Sequence, residues 1–328
     1  MSKQSKKIFL ILTGGTCILN DQGHILAVQS AEDIDDWLAQ MPELNILADI
    51  EPIFISGEDD LITPATWQKV AKEISEKSSE ADGFVVISKI DQLINTSLAL
   101  SFTLQNFKKT IVLTSSQVSG TDFLNKKEVI NNLKNKYGGL SLRSNLINAI
   151  QIAQQPLPSP AIIFGTRLRP ATKAIADMAS DANVFSSIDN DYWGKVDFGI
   201  NVKSDLKYNT RVIKKYDDLL ADILVIEDIP GVPWQFDKKT ISSYQGLFVK
   251  ISSYQALEKS KQNQIAKWKL PTVLYNYHLT SSVKGVVNIS NCTKNTAIIK
   301  TMWALSQKLK NKNFENIMNQ NIIGEFLN

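Results

Sequence analysis

Two cysteines, two histidines and no long apolar run set the first limits on this 328-residue chain. Cys17 and Cys292 lie far apart, which offers neither a disulfide framework nor a metal-ligand spacing. With only His24 and His278, a histidine-rich metal site is excluded, and no cofactor is implied. No stretch approaches the roughly 18 apolar residues that a membrane helix needs. The opening MSKQSKKIFLIL imitates a signal peptide, but the apolar stretch is short and no small-residue cleavage site follows it, so a cytoplasmic location is expected. Charge of one sign is also scarce. The net charge is +3, with lysines and arginines dispersed among acids, so no basic stripe argues for nucleic acid. The local concentration from Asn125 to Lys136 also holds amides and a glutamate, and reads as a solvated helix.

What is present is the composition of a globular protein, 43% hydrophobic and 21% charged. Apolar runs at Ile8–Leu12, Ile53–Ile55, Gly83–Ile87, Thr110–Leu113 and Ala161–Phe164 predict strands. Helical spacing is expected over Ala31–Gln40, from Thr63 (N-cap) and Pro64 onward, and over Leu98–Phe107, Arg143–Ala153 and Ala171–Met178. This alternation predicts a parallel sheet with helices on both faces. From about Ser186 to Tyr216 the rhythm breaks into a hairpin or linker rich in Asp, Asn, Lys and Gly. It resumes with strands at Ile223–Ile226, Gly246–Ile251 and Thr272–Tyr277. The expected organisation is an α/β domain over 1–190, a linker or hairpin over 191–218, and a smaller C-terminal α/β domain over 219–328.

Thr13-Gly14-Gly15-Thr16 follows the first run directly. Adjacent glycines permit a tight turn and a close approach of another group. Thr16 then stands at a strand's carboxyl end, where open α/β sheets place ligands. From the tetrapeptide alone two readings stand: an ordinary strand–turn, or a turn that presents a hydroxyl nucleophile awaiting a base.

Several segments, in order, resemble the bacterial asparaginase/glutaminase amidohydrolases, cytoplasmic type I branch. They are LTGGT at 12–16, DQGHI at 21–25, TPATWQKVAKEI at 63–74, ADGFVVI at 81–87, TSLALSFTLQN at 96–106, LRSNLINAI at 142–150, RLRPATKAIAD at 167–177 and IMNQNIIGEF at 317–326. The resemblance implies an asparaginase-like fold, hydrolysis of a side-chain amide through a threonine acyl-enzyme, and dimers or tetramers whose sites a neighbouring subunit completes. By this resemblance Thr16 matches the nucleophile and Lys173 the relay lysine. Asp91 matches the Asp that holds the substrate's α-amino group. Taken alone, Lys173 is an exposed lysine on a first helical turn, and Asp91 a plain loop acid.

The chain departs from the family where the second threonine motif reads Ser88-Lys89-Ile90-Asp91-Gln92. Ile90 has no hydroxyl to relay a proton, and Lys89 places a long cation where backbone is needed, in reach of pairing with Asp91. The family's loop tyrosine falls at His24, either a solvated loop residue or a substitute base. The carboxylate-binding turn is Ser56-Gly57-Glu58-Asp59-Asp60. Asp59 is the candidate contact there, although three acids would repel a carboxylate. The glycine-rich turn is replaced by residues 252–256, the later effector segment is missing between Leu279 and Asn295, and Lys126–Gly139 resembles an insertion.

Three functions follow. The first is a protein of asparaginase lineage with a partly lost site that binds a small ligand, an amino acid or amide, or a partner. The second is a working amidohydrolase on asparagine or another small amide, using Thr16 with His24. The third is a structural subunit beside an active relative.

Overall fold

The computed structural model describes residues 5–20, 24–116, 142–158, 160–176, 184–190, 192–196, 199–206, 219, 222–251, 257–276, 286–307 and 311–327. Two compact units divide the chain, Met1–Lys215 and Tyr216–Asn328.

The first unit is built on β1 (Lys7–Thr13), whose residues from Ile8 onward are all buried. Such an uninterrupted apolar strand belongs in the middle of a sheet covered on both faces. The short strands β2 (Ile18–Leu19) and β3 (Ile25–Leu26) form an antiparallel hairpin after it. Then come β4 (Asp49–Ser56), β5 (Gly83–Ser88), β6 (Thr110–Thr114), β7 (Ala161–Phe164) and β8 (Arg167–Pro170). β9 (Ala174–Ala176) pairs antiparallel with β10 (Phe185–Ser187), and β11 (Gly194–Val196) with β12 (Ile200–Val202). The large sheet runs β12-β11-β8-β7-β6-β5-β1-β4, with β4, β1, β5, β6 and β7 mutually parallel. The chain lays β4 on one side of β1 and then crosses to lay β5 on the other. β1 is therefore the point where the winding reverses, and its carboxyl end opens into the crevice that such sheets use for ligands.

Helices flank this sheet for legible reasons. Pro64–Glu76 starts at Thr63, whose hydroxyl accepts from the Thr66 N–H, and buries Trp67, Val70, Ala71 and Ile74 at helical spacing. Leu142–Ala153 packs Leu146, Ala149, Ile150 and Ala153 into a core with Ile8, Leu10, Val85 and Val112. Full burial of such aliphatic side chains contributes about 1.5–3 kcal/mol each. On the opposite face of β1, Phe9 stacks on Phe84 with ring centroids 5.8 Å apart.

Two helices differ from expectation. The one expected at Leu98–Phe107 runs Leu93–Thr103, because its apolar run begins at Leu93 and Asn106 takes a left-handed φ of 58° beyond its end. The one expected at Ala171–Met178 is a single 3-10 turn, Ala171–Lys173, leading into β9. Pairing with β10 outweighs the helix preference of alanines there, since propensity is worth only tenths of a kcal/mol per residue. The hairpin expected within 191–218 is β11–β12, and it joins the first unit's sheet through β8 rather than standing apart. The segment Asn125–Lys136, the insertion at 126–139 and the replaced turn at 252–256 lie outside the described residues, as do 277–285.

In the second unit, β13 (Ile223–Asp228), β14 (Gly246–Ile251), β15 (Thr272–Tyr275) and β16 (Val287–Ile289) form one parallel sheet in that order. Leu247, Val249, Leu274, Ile226 and Ile265 of the helix Lys259–Trp268 make its core. The helix Lys294–Ser306 is capped by Thr293, whose hydroxyl accepts from the Thr296 N–H at 3.2 Å.

Candidate active site

At the end of β1 the Thr13 hydroxyl donates to the Ile87 carbonyl at 2.8 Å, tying β1 to β5. Gly14 and Gly15 then take φ values of +84° and +71°. A side chain at Gly15 is excluded twice over: the φ is left-handed, and a Cβ would stand 2.3 Å from the Ser88 carbonyl oxygen. The Gly15 carbonyl accepts from the Ser116 N–H at 2.9 Å, so the segment after β6 closes the turn from the other side.

This turn delivers Thr16 into a fully buried position. Its N–H donates to Glu58 Oε2 at 2.8 Å, and its hydroxyl donates to the same oxygen at 3.1 Å. Oγ1 also accepts from the Val28 N–H at 2.9 Å, and the Thr16 carbonyl accepts from Trp37 Nε1 at 2.7 Å. Glu58 is itself buried, and its N–H donates to the Val28 carbonyl at 3.0 Å. Thr16, Val28 and Glu58 thus form a closed hydrogen-bonded ring. Beside it, burial pushes the Cys17 thiol well above its ordinary range, reinforced by the Glu58 charge and hydrogen bond.

The turn carrying Glu58 is braced. The Gly57 N–H donates to Asp60 Oδ2 at 2.7 Å, and a Cβ on Gly57 would lie 2.5 Å from the Gln29 carbonyl. Asp59, the acid named from the sequence, is exposed, and its carboxylate accepts from Gln29 Nε2 at 2.9 Å. The acid that meets Thr16 is Glu58, because Gly57 lets the turn press against Gln29 and carries the next side chain inward. The run of acids after a strand end was the available signal, but it does not say which one turns inward.

Lys89 crosses the glycine turn. Its Cε and Cγ lie 2.9 and 3.0 Å from where a Gly14 Cβ would stand, and Nζ donates to the Asp60 carbonyl at 2.6 Å. The expected pair with Asp91 is not formed: no ion pair joins the two within 4.0 Å, and the ammonium goes to a backbone oxygen instead. Asp91 is exposed just before the helix Leu93–Thr103, with the Gln92 amide 3.5 Å from its carboxylate.

Lys173 sits in the 3-10 turn and donates to Asp189 Oδ2 at 2.6 Å, while the Ser187 hydroxyl donates to Asp189 Oδ1 at 3.0 Å. His24 is exposed at the foot of the β2–β3 hairpin, where its backbone exchanges hydrogen bonds with Asn20. The structure thus gathers Thr16, Glu58 and Lys89 around the glycine turn. Among the described residues no group of three or more His, Cys, Asp or Glu is placed to hold a metal, and no helix is long and apolar enough to cross a membrane.

Comparison with known proteins agrees with this architecture. Residues 7–135 match the family described as "Asparaginase, N-terminal". The chain is 28% identical over 187 residues to L-asparaginase 1 of Escherichia coli (strain K12), covering 53% of this chain and 49% of that protein, so the match spans about half the length of that relative. It is 22% identical over 356 residues to a glutamyl-tRNA(Gln) amidotransferase subunit of Methanococcus maripaludis, covering 98% of this chain and 80% of that one. Among solved structures, the thermostable L-asparaginase from Thermococcus kodakarensis superposes with a TM-score of 0.78 at 21% identity, covering 98% of this chain and 99% of that one. L-asparaginase I from Vibrio cholerae gives 0.77 at 21% identity with the same coverage. The turn at the end of β1 therefore lies within the stretch that matches the asparaginase N-terminal family model, in an asparaginase-like fold of a larger and a smaller α/β unit.

Proposed function

We propose that this chain is an asparaginase-lineage protein whose Thr16 site is closed by its own side chains, and that it binds a small ligand or partner rather than hydrolysing asparagine. One observation carries the reading: Glu58 Oε2 takes both the N–H and the hydroxyl of a fully buried Thr16. An attacking hydroxyl needs a free lone pair and an open approach, and a developing oxyanion needs unengaged donors. Here the oxygen accepts from Val28, the N–H is taken by a carboxylate, and Lys89 fills the space over Gly14. The second threonine of the family relay is Ile90, without a hydroxyl. A cytoplasmic homodimer or homotetramer belongs to the same proposal, as the type I resemblance implies.

The Thr16–Glu58 hydrogen bond also favours a second reading. A carboxylate 3.1 Å from a hydroxyl is within reach to act as its general base. The chain would then be a working amidohydrolase on another small amide, admitted when Lys89 swings aside.

Ammonia release from asparagine, glutamine and a panel of small amides distinguishes the two. Wild type is expected at background on all of them. Asparagine turnover in the ordinary enzymatic range, about 1–1,000 per second, overturns the closed-site reading. Turnover of any other amide that Thr16→Ala and Glu58→Gln both abolish establishes the second reading. Lys89→Gly is expected to let a small amide bind, seen as a rise in melting temperature, without restoring turnover.

A further inference from the structure

β8 reads Arg167-Leu168-Arg169-Pro170, and strand alternation puts the two arginines on one face with Leu168 buried on the other. Arg169 is only 3% exposed. Its Nη1 donates to the Arg167 carbonyl at 2.9 Å, and its guanidinium lies 5.0 Å from the centre of the Tyr192 ring. Arg167, exposed at the surface, approaches the same ring at 5.1 Å. Among the described residues, the buried Arg169 Nε has no hydrogen-bond partner, and neither arginine has a carboxylate within 4.0 Å. Desolvation pulls the Arg169 guanidinium below its ordinary range, partly offset by its interaction with the phenol oxygen of Tyr192.

We propose that Arg167, Arg169 and Tyr192 form a binding site for a small oxyanion, a carboxylate or a phosphate group. A buried cation without a counter-charge costs several kcal/mol. A ring face returns about 2 kcal/mol when desolvated, and two cations drawn to one ring repel each other. The orphaned Nε is a donor with no acceptor, left over from the planar fork that matches an oxyanion. Arg167 gives the ligand its approach from solvent, and the half-buried Tyr192 is shared by both guanidinium groups. The proposal rests on β8 and Tyr192 alone, and it holds whether or not the Thr16 turn is catalytic.

The test is titration with sodium phosphate and with sodium succinate at about 10 mM, against sodium chloride of matched ionic strength, followed by melting temperature and calorimetry. Wild type is expected to be stabilised by at least one of the two. Arg167→Gln and Arg169→Gln are each expected to weaken that binding roughly tenfold or more, the loss of one charge-assisted hydrogen bond. A response to phosphate alone or succinate alone assigns the ligand class. No stabilisation beyond chloride overturns the site, and so does a response that Arg167→Gln leaves unchanged, which would mean that the anion binds elsewhere. Arg167 is exposed, so its variant decides the matter even where Arg169→Gln does not fold.

Discussion

In the second unit Lys300 and Glu325, both fully buried, meet at 2.7 Å, whereas in the first Arg169 is buried against a tyrosine ring and a carbonyl. The second-unit pair is also richly hydrogen-bonded. Glu325 accepts from the N–H groups of Ile322 and Ile323, and Lys300 donates to the Gln320 carbonyl and lies 4.2 Å from the centre of the Phe326 ring. It pins the C-terminal segment against the helix Lys294–Ser306. Lys261 repeats the pattern, buried against Asp228 at 2.7 Å. The difference separates charge used to hold a fold from charge kept without a described counter-charge. The first kind is complete within the chain. The second is worth its cost only if something else completes it.

The largest effect is expected where the completed pair is broken. Glu325→Gln strands the Lys300 ammonium and is expected to lose about 3–5 kcal/mol in urea unfolding, while Lys300→Met combined with Glu325→Leu recovers most of it. A single-variant loss below about 1 kcal/mol would show that the pair is not what holds the tail. The first unit should answer in the opposite way. Arg169→Met removes a charge without stranding an opposite one, and is expected to shift stability by less than about 1 kcal/mol or to raise it. A loss as large as that of Glu325→Gln would erase the contrast.

The smallest effect is a slope in alkali. Burial raises the Cys292 thiol from 9.0 to about 12, with Lys300 opposing and Glu325 adding to the rise. The unfolded chain therefore loses this proton first, and stability falls as pH rises from about 9 toward 12. Burial lowers Lys300 below 10.5, despite Glu325, so there the folded state loses its proton first and stability rises with pH up to that value. Unfolding free energy followed by pH should fall less steeply in Cys292→Ala and more steeply in Lys300→Met. Identical slopes in all three proteins would refute both assignments.

The helix expected at Ala171–Met178 shows why part of this was illegible. Its alanines favour a helix locally, but Ala174–Ala176 has a strand partner in Phe185–Ser187, and no local rule announces a pairing made at a distance. The arginine cluster was equally hidden. Arg167 and Arg169 are plain in the sequence, but nothing there says that Tyr192 lies over both or that no described acid pairs with either.

The sequence by itself determined the strand–helix alternation, the glycine turn and the presence at position 90 of an isoleucine, which carries no hydroxyl. These rest on local properties: apolar periodicity, the φ freedom of glycine, the identity of a side chain. Only the tertiary structure decided that Glu58 rather than Asp59 reaches Thr16, that Lys89 lies across Gly14 toward Asp60 rather than pairing with Asp91, and that Lys173 meets Asp189. Those outcomes turn on which way a turn faces once another strand presses on it. That depends on a contact such as Gly57 against Gln29, between residues far apart in the chain.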